Sequence, residues 1–84
     1  MTEQLIGTVT HYFSDPHVAV VKVTGEEVAV GDEVHFLGHT TDFEERVSSL
    51  ELDHRKVERG GVGEDIAIQV VERVREHDKV FRVT

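Results

Sequence analysis

The sequence contains no cysteine and no tryptophan, and its 84 residues include only one proline and one tyrosine. Without cysteine, neither a disulfide framework nor a thiolate metal site can supplement the hydrophobic core. A chain of this length buries only about 60–65% of the surface that its unfolded form exposes, so we expect modest stability. We interpret residues 1–84 as one domain.

Long apolar runs are also missing. No stretch approaches the roughly 20 apolar residues that a membrane-spanning helix needs, and we expect no membrane contact. The first residues, Met1 to Gln4, lack the basic and hydrophobic regions of a secretory signal. We therefore expect a soluble, cytoplasmic protein.

Basic residues are scarce in the first half of the chain. Residues 1–45 contain nine acidic residues and a single basic one, Lys22, whereas residues 46–84 contain eight of each kind. Because the formal net charge is −8, the molecule lacks the excess of Lys and Arg that non-specific nucleic-acid binding requires. The sequence does not exclude a local basic patch in the second half of the chain.

Apolar and polar residues alternate over several short stretches, which is the period of half-buried strands. The clearest example follows the turn signal Gly31-Asp32, where Val34 and Phe36 share one face of a predicted strand. Ser14-Asp15-Pro16 predicts another turn. The six predicted strands are Leu5–Phe13, Val18–Val23, Glu33–Leu37 with a short extended approach over Val28–Val30, Phe43–Leu52, Ile66–Val70 and Lys79–Val83.

Four places in the sequence predict local irregularities. Gly7 inside the first strand indicates a bulge, a bend or a close backbone approach. The apolar parity changes within Phe43–Leu52, and a β-bulge at Ser48-Ser49 would restore one inward face. The stretch Asp53–Arg59 is charged and is predicted to contain a short turn anchored by Val57. Gly60–Gly63 is predicted to be a turn with unusual dihedral angles.

Six short strands separated by turn signals are typical of an all-β protein. We predict a small closed six-stranded β-barrel, rich in antiparallel pairs, because closure removes exposed sheet edges. A helix over Arg46–Glu58 is disfavoured because it would have no apolar stripe wide enough to bury.

Short motifs in the chain resemble domain 2 of translational GTPases such as elongation factor Tu. Val30-Gly31-Asp32-Glu33-Val34 followed by Leu37-Gly38 is similar to the VGDxVxxxG segment of that domain. Val47–Leu52 with His54–Val57, and then Gly63–Ile68, resemble later parts of it in the same order. The resemblance covers about residues 5–83. Stand-alone elongation-factor-like proteins and the C-terminal barrel of some collagenase-like peptidases of the U32 family are also similar.

The resemblance implies a six-stranded barrel that contacts transfer RNA or the small ribosomal subunit. GTP hydrolysis is not implied, because the chain lacks a GxxxxGK[ST] phosphate loop. We therefore predict a non-catalytic binding module related to translation factors, which contacts tRNA, rRNA or a ribosome-associated protein. The alternative is a protein–protein adaptor that uses the acidic N-terminal half and has no nucleic-acid role.

The candidate contact residues are basic. Arg55, Lys56 and Arg59 lie beside the glycine-rich turn. A second cluster contains Arg73, Arg75, Lys79 and Arg82, of which Arg73 and Arg75 are the candidate contacts. Arg side chains and loop N–H groups can bind phosphate oxygens. The competing interpretation is a solvated loop whose charges are balanced by neighbouring acidic residues.

Histidines and serines raise two further hypotheses. Among the six histidines only His35 and His39 have an HxxxH spacing, and a strand followed by a loop does not bring such a pair onto one face as a helix would. A zinc site needs three or four convergent ligands, so we interpret the histidines as surface residues and expect no metal or other cofactor. Ser48, Ser49, Asp53 and His54 are the residue types of a hydrolase triad, but adjacency in sequence does not create that geometry. We therefore expect no enzymatic activity.

Overall fold

The computed structural model describes residues 2–84 and is an all-β domain built around antiparallel strand pairs. The strands are β1 (Glu3–Ser14), β2 (His17–Val23), β3 (Val28–Ala29), β4 (Glu33–Leu37), β5 (Asp42–Arg46), β6 (Leu50–Leu52), β7 (Arg55–Val57), β8 (Arg59–Gly60), β9 (Asp65–Gln69) and β10 (Lys79–Val83). Eight of them form one sheet in the order β5-β4-β10-β1-β2-β9-β6-β7, and β3 pairs with β8 in a second ladder. Residues 2–84 contain no helix that is long and apolar enough to span a membrane.

The predicted closure into a six-stranded barrel is not confirmed. The long sheet ends at β5 on one side and at β7 on the other, and within residues 2–84 no ladder joins these two strands. The short ladder instead pairs Val28 with Gly60 and Ala29 with Arg59. Since β3 directly precedes β4 and β8 directly follows β7, this ladder ties together segments that adjoin opposite ends of the long sheet.

The predicted shared face of Val34 and Phe36 is confirmed, because both side chains are fully buried in the core. Ala19, Val21 and Val23 of β2 are also fully buried. Strands from both ends of the long sheet contribute to this one cluster of apolar side chains, and Phe43 of β5 packs against it. The rings of Phe36 and Phe43 stack at a centroid distance of 5.1 Å. The alternation of apolar and polar residues along the strands thus builds one hydrophobic core, to which strands near both ends of the long sheet contribute.

The Gly31-Asp32 turn connects the short ladder to the long sheet. Gly31 has a φ of 96°, a left-handed conformation that glycine adopts without steric cost. The Asp32 carboxylate accepts a hydrogen bond from the Ala29 N–H at 2.9 Å. Gly31 N–H also donates to the Val47 carbonyl, and Val47 N–H donates to the Asp32 carbonyl, both at 2.9 Å. These bonds fix the direction in which the chain enters β4.

The predicted long strand Phe43–Leu52 is wrong, because the structure divides it into β5 and β6. The two parts have different neighbours: β5 pairs with β4, whereas β6 pairs with β7 and β9. Val47 and Leu50 are both buried on either side of Ser48-Ser49. The parity change therefore marks a corner at which the chain passes from one end of the long sheet to the other. A bulge, in contrast, would have left both parts of the strand paired with the same neighbouring strand.

The stretch Asp53–Arg59, predicted to contain a short turn anchored by Val57, is mostly strand. Leu52 pairs with Arg55, so only Asp53 and His54 form the loop of a hairpin. Their φ angles are 52° and 66°, as a two-residue loop that follows the twist of its strands requires. Arg55–Val57 form β7 and Arg59 begins β8, with Glu58 between the two strands.

Gly7 confirms the predicted close backbone approach. The pairing of β1 with β10 shifts register between Leu5 and Gly7. A Cβ atom added to Gly7 would lie 1.9 Å from the carbonyl oxygen of Lys22. The backbones of β1 and β2 are therefore too close here for any side chain.

We expect Gly7→Ala to lower the free energy of unfolding by about 2 kcal/mol or more, because strand backbone must move to admit the methyl group. Urea denaturation measures this change. The matched control is Gly61→Ala, whose new Cβ would meet only a Glu64 side-chain oxygen at 3.5 Å, and we expect a change within about 0.5 kcal/mol. Equal stabilities for wild type and Gly7→Ala would contradict the close approach.

Candidate functional site

The outer face of the sheet carries an apolar strip. Val18 and Val20 alternate along β2 with buried residues, so their side chains point away from the core. Val18 pairs with Phe13 of β1, and Val20 pairs with Ala67 of β9. Phe13 is 50% exposed. Paired residues share a face, so these four side chains form a continuous apolar surface across three strands.

Two adjacent cavities of about 440 and 480 Å³ lie over this strip and share Pro16, Val18, Glu51 and Ala67 in their walls. Because they have these walls in common, we treat the two cavities as halves of one groove, which we call the outer trough. Its acidic half is additionally lined by Phe13, Asp15, Val20, Asp53, His54, Asp65 and Ile66. Its polar half is additionally lined by Ser48, Ser49, Lys56 and Gln69.

Two tight turns position the carboxylates of the acidic half. Asp15 lies in the loop between β1 and β2, which closes the hairpin pair Ser14 and His17. This confirms the predicted turn. Asp53 lies in the two-residue loop between β6 and β7. Hairpin loops thus bring charged side chains from both sides to the rim of an apolar floor.

The acidic half has more negative charge than its neighbours neutralise. Asp65 lies 3.8 Å from the Lys22 ammonium group. Within residues 2–84, no ion pair involves Asp15, Glu51 or Asp53. Three carboxylates beside a low-dielectric apolar surface create a negative potential in the groove. The arrangement favours a cationic group that also brings apolar surface.

The residue types of a hydrolase triad all line the outer trough, but they divide between its halves. Ser48 and Ser49 lie in the polar half, whereas Asp53 and His54 lie in the acidic half. Within residues 2–84, no hydrogen bond joins His54 to either serine or to Asp53. A nucleophile and its general base must lie within hydrogen-bond distance of each other.

The first predicted basic cluster extends over β7 and β8. Arg55 and Lys56 belong to β7, and Lys56 pairs with Glu51 across the ladder to β6. Arg59 in β8 lies 3.4 Å from the Glu27 carboxylate. Lys56 lines the polar half of the outer trough, so one member of this cluster reaches the site.

The second predicted basic cluster lies elsewhere. The Arg73 guanidinium lies 5.7 Å from the ring centroid of Tyr12, in the range of a cation–π contact. Arg75 Nε donates a hydrogen bond to Thr40 Oγ1 at 2.7 Å. Both residues line a smaller cavity that shares no residue with the outer trough. A contact role for these five basic residues stays a prediction.

His35 forms a separate charged cluster on β4. Its Nδ1 lies 3.0 Å from the Glu3 carboxylate, and its Nε2 lies 2.6 Å from Asp42 Oδ1. The hydrogen bond to Asp42 raises the pKa of His35 above its ordinary value, burial lowers the pKa, and Glu3 raises it. Glu44 also lies near enough to form a possible metal-ligating group with Glu3 and His35. Both ring nitrogens of His35, however, already lie within hydrogen-bond distance of the Glu3 and Asp42 carboxylates. We interpret the cluster as an ion-paired histidine.

The His35 cluster predicts a pH dependence of stability. Since its folded-state pKa is raised, the stabilisation is fully present below the unfolded pKa of about 6.5 and is lost as the pH rises through the folded-state pKa. We expect the loss of stability in His35→Gln, measured by urea denaturation, to be largest near pH 5.5 and to shrink toward pH 9.

The matched control is His39→Gln, since His39 is exposed and has no ion pair within residues 2–84. Its difference from wild type should not vary over the same pH range. A pH-independent effect of His35→Gln would show that the contacts of the imidazolium contribute nothing.

Curated relatives match most of this chain. "Collagenase" from Porphyromonas gingivalis is 33% identical over 78 residues, which cover 92% of this chain and 22% of that protein. "Uncharacterized protease MJ0090" from Methanocaldococcus jannaschii is 31% identical over 77 residues, which cover 90% of this chain and 19% of that protein. The chain thus spans about a fifth of the length of the curated relatives it matches. No family model matches the sequence.

Solved structures share the fold. The "C-terminal domain of Geobacillus thermoleovorans putative U32 peptidase" superposes with a TM-score of 0.89 at 15% identity, and the match covers 96% of this chain and 93% of that one. A selenomethionine variant of the same domain gives a TM-score of 0.84 at 16% identity, with 90% and 95% covered. The observed all-β architecture is therefore that of a known protein domain.

These findings overturn the predicted relationship to domain 2 of translational GTPases. The relatives are named as a collagenase and a protease, and the superposed domain comes from a U32 peptidase. The predicted translation-related function, RNA binding and tRNA or ribosome partners are wrong, and the adaptor alternative is not retained. The Val30–Gly38 motif encodes a turn and a strand, and a shared fold does not imply a shared function.

Proposed function

We propose that this chain is an accessory domain of the kind found at the C-terminus of U32 peptidases. In this proposal it holds polypeptide in the outer trough and does not itself cleave peptide bonds. The match to a collagenase and a protease supports the peptidase context. Those proteins extend well beyond the matched part, which leaves ample length for a separate catalytic domain.

The single observation that carries the proposal is the outer trough itself. Its floor is built by aliphatic and aromatic side chains, and Phe13 is half exposed. Apolar grooves with polar rims are typical of sites that bind other molecules. We further propose that the β3–β8 ladder completes a barrel-like wall, which would keep this face of the sheet rigid.

The non-catalytic part of the proposal is supported by the separation of the serines from His54. Ser48 and Ser49 line the polar half, and His54 lines the acidic half. A general base acts only within hydrogen-bond reach of the group that it deprotonates. The arrangement favours contact with a polypeptide over chemistry on it.

We expect the chain to be retained on immobilised denatured collagen, because one relative carries the name collagenase and unfolded chains expose apolar side chains. Phe13→Ala should weaken retention about tenfold or less, since it removes one apolar wall of the groove. The matched control is Val62→Ala, which truncates a 62% exposed side chain outside the outer trough. Equal retention of all three proteins would contradict the proposed site.

We also expect the purified chain to leave denatured collagen and casein intact, because no nucleophile–base pair is assembled in the outer trough. Gel electrophoresis after long incubation measures this. Cleavage by the wild type that is lost in a Ser48→Ala and Ser49→Ala double variant would contradict the non-catalytic assignment.

A further inference from the structure

We infer that the acidic half of the outer trough selects polypeptide segments in which a bulky apolar side chain adjoins a lysine or arginine. The inference rests on the proposed function, because it names the class of polypeptide that the groove would hold. Its two parts are an apolar anchor on the floor and a cation at the rim.

The anchor follows from the shape and lining of the acidic half. The cavity measures about 440 Å³, within the range of roughly 300–1,000 Å³ that is usual for ligand sites. Its floor combines Phe13 with Val18 and Val20. These side chains are apolar and offer no hydrogen-bonding groups. A leucine-sized or larger side chain would remove this surface from water, whereas serine or glycine would cover little of it.

The cation follows from the charges around that floor. Asp15, Glu51 and Asp53 come from three different elements, and within residues 2–84 none of them forms an ion pair. The facing Lys56 pairs with Glu51 in the ladder but does not come within ion-pair distance. An incoming Lys or Arg would supply the missing positive charge, and an acidic segment would be repelled.

An aromatic wall beside these carboxylates strengthens the preference. Phe13 lines the acidic half together with Asp15 and Asp53. A guanidinium over an aromatic face gains cation–π energy, and its alkyl stem packs on apolar surface. Arginine uses both features at once.

The polar half explains why a polypeptide fits better than a free amine. It continues from the acidic half through shared walls and adds Ser48, Ser49 and Gln69. Hydroxyl and amide groups can both donate and accept hydrogen bonds. They can therefore satisfy the N–H and C=O groups of an extended segment that enters the groove.

Fluorescence anisotropy with three dye-labelled ten-residue peptides tests the inference. The probe repeats Leu-Arg, the charge control repeats Leu-Glu, and the apolar control repeats Ser-Arg. We expect the wild-type chain to bind the probe at least tenfold more tightly than either control at low salt. Binding of the probe should weaken as salt is added, because exposed charges are screened.

Substitutions of the rim carboxylates test whether the preference for the Leu-Arg peptide arises in the outer trough. Combined Glu51→Gln and Asp53→Asn substitutions should weaken binding of the Leu-Arg probe about tenfold, which corresponds to about 1.4 kcal/mol. The matched control is Glu72→Gln, an exposed carboxylate outside the outer trough, which should leave binding of the probe unchanged. Circular dichroism verifies that each variant is folded.

The outcomes separate this inference from the proposed function. If the Leu-Glu or Ser-Arg peptide binds as tightly as the probe, or if the double variant binds the probe unchanged, the selectivity is overturned and polypeptide binding stands. If neither the peptides nor denatured collagen bind at all, both proposals fail together.

Discussion

The register of β2 between β1 and β9 is the constraint on which the rest of the structure depends. Its inward residues fill the core, and its outward valines form the floor of the outer trough. A slip by one residue would exchange the two sets, because successive side chains point to opposite faces. Strands that are apolar on both faces usually have cover on both. Within residues 2–84 only the inner face of β2 is fully buried, which is a physical reason to expect a partner on the outer one.

The local alternation of apolar and polar residues was sufficient to predict several of the strands. The strand Glu33–Leu37 and the strand Lys79–Val83 have the predicted bounds, and β1 and β2 differ from prediction by one or two residues. The parity change near Ser48-Ser49 had two local solutions, a bulge and a corner. Only the identity of the neighbouring strands separates them, and that information is not local. Arg55-Lys56-Val57 was missed because a charged edge strand has the composition of a loop.

The candidate site could be predicted only in part, because its components are distant in the sequence. Side chains alternate between the two faces of β2, but such a local pattern does not indicate whether another layer covers the outward Val18 and Val20. The carboxylates of Asp15, Glu51 and Asp53 line one cavity because β2, β9 and β6 lie side by side, with the β1–β2 loop and the β6–β7 loop at opposite ends of these strands. The basic clusters were more conspicuous in the sequence, yet the structure divides them between different surfaces.

The two acidic regions of the molecule differ in the cations available to them. Around His35, the carboxylates of Glu3 and Asp42 hold an internal cation whose pKa is raised by that contact. In the acidic half of the outer trough, Lys22 reaches only Asp65 among the lining carboxylates of residues 2–84. An external cation would have to displace His35 from the carboxylates of Glu3 and Asp42. The acidic half of the outer trough, in contrast, has unpaired carboxylates beside exposed apolar surface. The same negative net charge that disfavours nucleic acid therefore favours a basic, partly apolar polypeptide at the outer trough.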